Sequence, residues 1–210
     1  MNNRHPEFPI VDNLVYLNHA AVAPWPKRTC DAVKAFAEEN MQHGSFHYSD
    51  WLKKESELRK QLQHLLNAPS VDDIALVKNT SEALSFVAYG LDWEHGDNIV
   101  SSNEEFPSNR IPWESLSNQG VEFRQADLSK ASSPEQALFD LCDHNTRLLT
   151  ISSIQFASGL RLNLEVIGDF CKKNNILFCI DAIQSLGAVR FDVQACQADF
   201  VMADGHKWMF

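Results

Sequence analysis

The chain has 210 residues, of which 44% are hydrophobic and 22% charged, and a formal net charge of −10. That length and apolar share suffice for one sizeable domain with its own core. The acidic balance, with no basic cluster, argues against nucleic acid as a partner, because phosphate contacts need lysine and arginine gathered on one surface; no apolar run approaches the ~18 residues of a membrane span.

The N-terminus, Met1-Asn2-Asn3-Arg4-His5-Pro6, lacks the apolar stretch of a signal peptide. The five cysteines (Cys30, Cys142, Cys171, Cys179, Cys196) are scattered, odd in number and without a CxxC pair. They read as reduced thiols in a cytoplasmic protein. His43 and His47 are four apart with Gly44 and Ser45 between them, a poor metal-ligand spacing, and no metal is expected.

Residues 14–26 read as an extended or looped entry, since Pro24 and Pro26 exclude a helix. Helices are predicted over 27–43 and 50–66, the second carrying Trp51, Leu58, Leu62, Leu65 and Leu66 at helical spacing. Strand and helix then alternate. A strand at 74–78 leads to a helix over 80–90, one at 98–101 to a helix over 109–118, and one at 121–124 to a helix over 134–142. A strand at 148–152 leads to a helix over 164–174, and strands at 176–180 and 200–202 follow. Short apolar strands separated by amphipathic helices predict βαβ units, hence an α/β domain with a largely parallel sheet covered on both faces.

In such sheets ligands bind beyond the carboxyl ends of the strands, so the loop after each strand is where chemistry is sought. Asn79-Thr80-Ser81-Glu82 opens a helix with a cap and a capping-box acid. It is either an ordinary cap or a phosphate site using free N–H groups and the hydroxyls of Thr80 and Ser81. Phe106, in the loop after 98–101, is either a core residue or a stacker for a flat ring. Ser153 and Gln155, after 148–152, either face the same rim or bond backbone within a turn closed by Gly159.

Asp181 ends a strand of Leu, Phe, Cys and Ile, where a carboxylate is costly unless paired. A pyridinium N–H would satisfy it, though it could also cap the following turn. Lys207 follows the last strand, between Gly205 and Trp208, whose presence suggests a constrained backbone. A partly dry pocket there would lower its pKa and free the amine as a nucleophile. A lysine for an aldehyde, an acid for a ring nitrogen, a stacker and a helix start for a phosphate together fit pyridoxal 5'-phosphate.

At this point the sequence resembles the class V aminotransferase group of fold-type I pyridoxal-phosphate enzymes, which includes cysteine desulfurases, kynureninases and isopenicillin N epimerase-like proteins. The resemblance runs from Tyr16-Leu17-Asn18-His19-Ala20-Ala21 to Gly205-His206-Lys207, and its most specific pieces are Asp181-Ala182-Ile183-Gln184 and Gly205-His206-Lys207. It implies a PLP-transferase-like large domain (67–210) preceded by an arm and helices (1–66) on the substrate and dimer side.

The resemblance further implies that Lys207 forms the Schiff base and moves the substrate's α-proton, and that Asp181 pairs with the pyridine nitrogen. Gln184 contacts the cofactor's phenolic oxygen, and Gln155 is also among the cofactor-binding residues. Thr80, Ser81 and His206 hold the phosphate, Phe106 stacks on the ring, and Asn18, His19 and Ala20 line the substrate pocket. An amino-acid substrate and a homodimer of the full-length form go with it.

Two residues depart from the desulfurase pattern: Asp204 stands where those enzymes have a phosphate-binding serine, and Phe156 where they commonly have asparagine. Both lean the reading toward the epimerase-like and general aminotransferase branch. The family's typical chain is about twice as long, and its second half supplies a small domain, the arginine for the substrate carboxylate and, in desulfurases, a persulfide cysteine that none of these five matches. The expectation is an N-terminal half, with an inactive cofactor-binding fragment and a cysteine desulfurase as alternatives. An unrelated α/β binding domain, with Lys207 a plain surface residue, is the remaining reading.

Overall fold

The computed structural model describes residues 5–210; residues 1–4, read above for a signal core, lie outside it. Its sheet consists of β1 (Asn98–Ser102), β2 (Glu122–Ala126), β3 (Thr146–Ser152), β4 (Leu177–Asp181) and β5 (Phe200–Met202), in the order β2-β1-β3-β4-β5. All four pairings are parallel. The helices are α1 (Lys27–His43), α2 (Tyr48–Leu66), α3 (Thr80–Gly90), α4 (Ile111–Glu114), α5 (Pro134–Phe139) and α6 (Leu164–Asn174).

Successive strand residues point to opposite faces, and the core divides accordingly. Ile99, Leu148, Cys179 and Met202 meet Leu84 and Ala88 of α3 and Trp113 and Leu116 on one face. Val100, Leu149, Ile151, Phe178 and Ile180 meet Leu138 of α5 and Ile167 and Cys171 of α6 on the other. This is the three-layer α/β architecture that the alternating pattern predicts. Gly168 is required here: a Cβ would stand 1.9 Å from the carbonyl oxygen of Cys196.

The chain steps from β1 outward to β2 and then returns to place β3 on the other side of β1. That reversal opens a crevice at the carboxyl ends of β1 and β3.

Three expectations are corrected. Residues 74–78 are extended but pair with no strand among the described residues. β-propensity cannot make a strand without a neighbour to share its hydrogen bonds; here the carbonyl of Ile74 is taken by the guanidinium of Arg59. The helix expected over 109–118 is broken into α4 between two 3₁₀ turns, Pro107–Asn109 and Ser115–Gln119. Pro107 and Pro112 each withhold an N–H donor and keep the segment to single turns. The helix expected to 142 ends at Phe139.

Helices α1 and α2 contain no fully buried residue. Their connection to the sheet domain runs through the end of α2, where Val193 N–H donates to Leu66 O at 3.0 Å and Asn67 Nδ2 to Asp192 at 2.9 Å. Among the described residues no helix is long and apolar enough to cross a membrane.

Candidate active site

A cavity of about 500 Å³ lies at the carboxyl ends of the strands. Asn18, Ala20, Thr80, Ser81, Phe106, Asp181, Gln184, His206 and Lys207 all line it, so nine of the predicted site residues are brought together from segments spread over the chain. A larger cleft of about 740 Å³ beside the start of α6 is lined by neither a lysine nor a cysteine other than Cys196, whereas the smaller one holds the predicted site residues.

Asp181 is the last residue of β4 and is 1% exposed. Its Oδ1 accepts the Ile183 N–H at 3.0 Å. Burial pushes its pKa up to about 7; the Ile183 N–H opposes this, nearby Glu105 adds to it, and Lys207 opposes it. The carboxyl is thus poised to take a cationic N–H donor, which would restore its charge.

Lys207 is 8% exposed, and its Nζ lies 5.8 Å from the centroid of the Phe106 ring. Burial lowers its pKa, while Asp181 and Asp204 pull the other way. A lysine losing solvation in a half-apolar pocket is the kind that reacts as a free amine.

Its loop is held by neighbours. The Ala23 N–H donates to His206 O at 2.9 Å, tying the N-terminal arm to the loop. Gly187, at φ +93°, lies so close to the loop that a Cβ would come within 2.6 Å of Trp208 O. Gly205, which the sequence suggested as the constraint, has open space around it and no positive φ. The close backbone packing beside Lys207 is against Gly187, twenty residues earlier in the chain (207 − 187).

At the start of α3 the Asn79 side chain accepts the Glu82 N–H at 2.9 Å. The Glu82 carboxylate reaches back to the Lys78 N–H at 2.6 Å, one residue before the expected capping-box partner. The N–H groups of Thr80 and Ser81, in the first turn, have no intrahelical acceptor. Thr80 Oγ1 is buried and has no hydrogen-bond partner among the described residues. An orphaned hydroxyl beside a helix start, on the wall of a cavity, fits an anionic group such as phosphate. Asp204 turns its Oδ1 to His206, 3.0 Å from Nδ1, so its charge is partnered by the histidine on the same rim.

Three predicted residues are placed differently from the expectation. Gln184 spans the wall: its amide nitrogen donates to Ala20 O at 3.0 Å and its oxygen accepts Trp208 Nε1 at 3.1 Å. His19 does not line the cavity; its ring stacks on Trp208, with centroids 5.3 Å apart. Gln155 lies behind the wall, 1% exposed, donating to Glu105 at 2.6 Å.

Sequence reasoning missed Glu105 and Trp208 as parts of the site. An acid immediately before Phe106, in a loop closing a buried strand, was the available signal for the first. Trp208, next to the lysine, was read only as a sign of constraint.

A buried lysine, a buried acid, an aromatic and an anion-ready helix start around one crevice of a parallel sheet define an α/β domain built to hold a flat, phosphorylated carbonyl compound. The chain belongs to the aminotransferase class-V family, whose model matches residues 15–210.

Among curated proteins, it is 36% identical over 207 residues to a probable cysteine desulfurase of Methanothermobacter thermautotrophicus, covering 96% of this chain and 51% of that protein. It is 30% identical over 215 residues to a probable cysteine desulfurase of Pyrococcus abyssi, covering 96% and 52%. The cysteine desulfurase CsdA of Escherichia coli shares its structure with a TM-score of 0.83 at 25% identity, covering 98% of this chain and 55% of that one. A C-DES mutant with glycine covalently linked to its PLP cofactor shares the fold with a TM-score of 0.89 at 22% identity, covering 96% and 55%. The chain therefore spans about half the length of the relatives it matches. These relatives carry the desulfurase name, whereas Asp204 and Phe156 had leaned the reading toward other branches.

Proposed function

We propose that this chain is the cofactor-holding part of a pyridoxal-phosphate enzyme of the class V aminotransferase type, acting on an amino acid through Lys207. The observation that carries the reading is the juxtaposition, in one cavity, of buried Lys207, buried Asp181 and the orphaned Thr80 hydroxyl at a helix start. When bound, pyridoxal phosphate supplies an aldehyde and an electron-withdrawing ring that stabilises negative charge on the substrate's Cα.

The residues present fit that group. Lys207, whose pKa burial lowers, would be the nucleophile toward the cofactor's carbonyl and the base for a Cα proton. Asp181, in a site too dry for an unpaired carboxylate, would accept the hydrogen bond of a ring nitrogen and keep it protonated. Thr80, Ser81 and the first turn of α3 receive a phosphate, with His206 on the same rim. Phe106 offers a ring face to a flat ligand. Gln184, bridging Ala20 and Trp208, holds the N-terminal arm over the cavity, where Asn18 and Ala20 would meet substrate.

Cysteine as the substrate is the reading favoured by the names of the relatives. None of the five cysteines of this chain lines the cavity. Burial pushes the thiols of Cys171 and Cys179 up to about 12 and that of Cys142 to about 11, far from the thiolate that sulfur transfer requires. A chain that binds the cofactor without turnover is the corresponding second reading, favoured by the half-length coverage of the relatives. The wider proposal includes a homodimer in the full-length form, with residues 1–66 on the substrate and dimer side. It also includes a cytoplasmic setting, in keeping with five unpaired cysteines.

The test is to add pyridoxal phosphate, record the visible band of the lysine-bound cofactor, reduce with borohydride and map the modified lysine by mass spectrometry. Modification at Lys207, lost in Lys207→Ala, is expected. Modification elsewhere, or no band, overturns the reading. Assay of amino acids, cysteine among them, then separates turnover from binding alone.

A further inference from the structure

The most heavily bonded side chain near the cavity belongs to no role assigned above. Glu105 is 5% exposed. Its Oε1 accepts hydrogen bonds from Gln155 Nε2 at 2.6 Å, the Ser152 N–H at 2.9 Å and Ser102 Oγ at 3.4 Å. Its Oε2 accepts from Ser152 Oγ at 2.6 Å and Asn109 Nδ2 at 2.7 Å.

A carboxylate that only accepts is matched to this ring of donors. The Ser152 N–H cannot reverse, and Asn109 keeps its Nδ2 toward Glu105 because its Oδ1 accepts Trp113 Nε1, so the match is one of charge as well as shape. No lysine or arginine among the described residues forms an ion pair with it.

These bonds join three separate pieces of backbone. Ser102 ends β1, Ser152 ends β3, and Asn109 closes the 3₁₀ turn after Phe106. Asn109 is itself fixed, its Oδ1 accepting Trp113 Nε1 at 3.0 Å and Thr150 Oγ1 at 2.6 Å. Phe106 is the next residue after Glu105; it is half exposed, and among the described residues its ring neighbour is Phe156, edge-on with centroids 5.2 Å apart. Two exposed rings in contact do not fix each other firmly. The fixed point under Phe106 is the Glu105 carboxylate.

We propose that Glu105 is a positioning residue of the cofactor site: by clamping the loop 105–109 to the ends of β1 and β3, it sets the Phe106 ring at the cavity wall, where it would stack on a flat ligand ring. The inference rests on the cofactor reading above. The proximity of Glu105 to Asp181, which raises the Asp181 pKa, is consistent with both carboxyls belonging to one buried cluster.

Glu105→Gln is the sharp probe, because it keeps the shape and turns an NH₂ group toward Ser152 and Asn109, leaving buried donors without acceptors. The experiment measures the dissociation constant for pyridoxal phosphate, and the induced circular dichroism of its visible band, in a cycle with Phe106→Ala. Glu105→Gln alone is expected to weaken binding about tenfold and to change the induced ellipticity, which reports ring orientation. In the Phe106→Ala background it is expected to weaken binding by no more than about twofold, because a residue acting through Phe106 has nothing left to position.

Losses that multiply in the double variant overturn the proposal, as does unchanged affinity and ellipticity for Glu105→Gln. Should Glu105→Gln not fold, Ser152→Ala removes one donor and enters the same cycle, with about a threefold loss expected only where Phe106 is present. Equal losses in both backgrounds, or none in either, again overturn it. A missing visible band in the unsubstituted protein would instead sink the cofactor reading, and this proposal with it.

Discussion

Ser152 and Asp181 stand opposite each other in the β3–β4 ladder, and both end their strands at the cavity. Ser152 is held through its N–H and its hydroxyl by Glu105, while Asp181 has one backbone donor, the Ile183 N–H. The serine is therefore saturated and the aspartate is left short of partners. In the proposed site that asymmetry matters, since a buried carboxyl with one donor is ready to receive another.

It also gives a pH dependence of stability. Burial raises the Asp181 pKa to about 7, with Glu105 adding and Lys207 opposing. A carboxyl raised on folding contributes stability that is complete below its ordinary value and is lost as the pH climbs through the folded value. The cofactor-free protein should therefore lose about 1–4 kcal/mol between roughly pH 4 and pH 8 from this group. Asp181→Asn should flatten that decline in urea-melting curves across the range. Asp127 and Asp143 act in a different window: Lys130 and Arg124 respectively hold them below the usual carboxylate range, so their contribution disappears only on acidification below about pH 4. Equal slopes for the parent and Asp181→Asn would contradict the assignment.

Thr80 offers a trade between stability and binding. Its hydroxyl is buried without a partner, and such a group costs about 1–3 kcal/mol. Thr80→Val keeps the shape and removes the orphan. The thermal midpoint of the cofactor-free protein should stay level or rise, while pyridoxal phosphate binding weakens by about tenfold, the scale of one hydrogen bond to a charged group. Inorganic phosphate should protect the parent against heat more than it protects the variant. A variant that binds as tightly as the parent would show that the hydroxyl faces no ligand.

Two glycines near the lysine should respond in opposite ways. Gly187→Ala places a Cβ against Trp208 O and forces a side chain into positive φ. A cost of about 1–3 kcal/mol is expected, together with weaker cofactor capture, because the displaced backbone carries Lys207. Gly205→Ala meets open space at an ordinary φ and should lie within about 0.5 kcal/mol of the parent. Chemical denaturation of both, alongside cofactor titration, decides the matter; a costly Gly205→Ala would return the constraint to the place the sequence suggested.

Much of the site was legible in the sequence because its residues sit at positions with local rules. Asn79 before an apolar helix, Asp181 at the end of an apolar strand and Lys207 after the next one can each be read from a few neighbours, and all three lie where those rules place them. The α1, α3 and α6 spans follow the same logic, since helical periodicity is a property of adjacent residues.

What the sequence determined by itself, then, is the α/β alternation, the strand-end address of each reactive group and, through the resemblance, the family. Tertiary structure alone decided the rest. Residues 74–78 have the composition of a strand yet found no partner among the described residues, because pairing depends on distant backbone. Gln155 turned inward to Glu105, His19 onto Trp208, and the brace for the lysine loop came from Gly187. Each of these depends on a contact between segments far apart in the chain, and the free energy of such a contact exists only once the sheet has brought its two sides together.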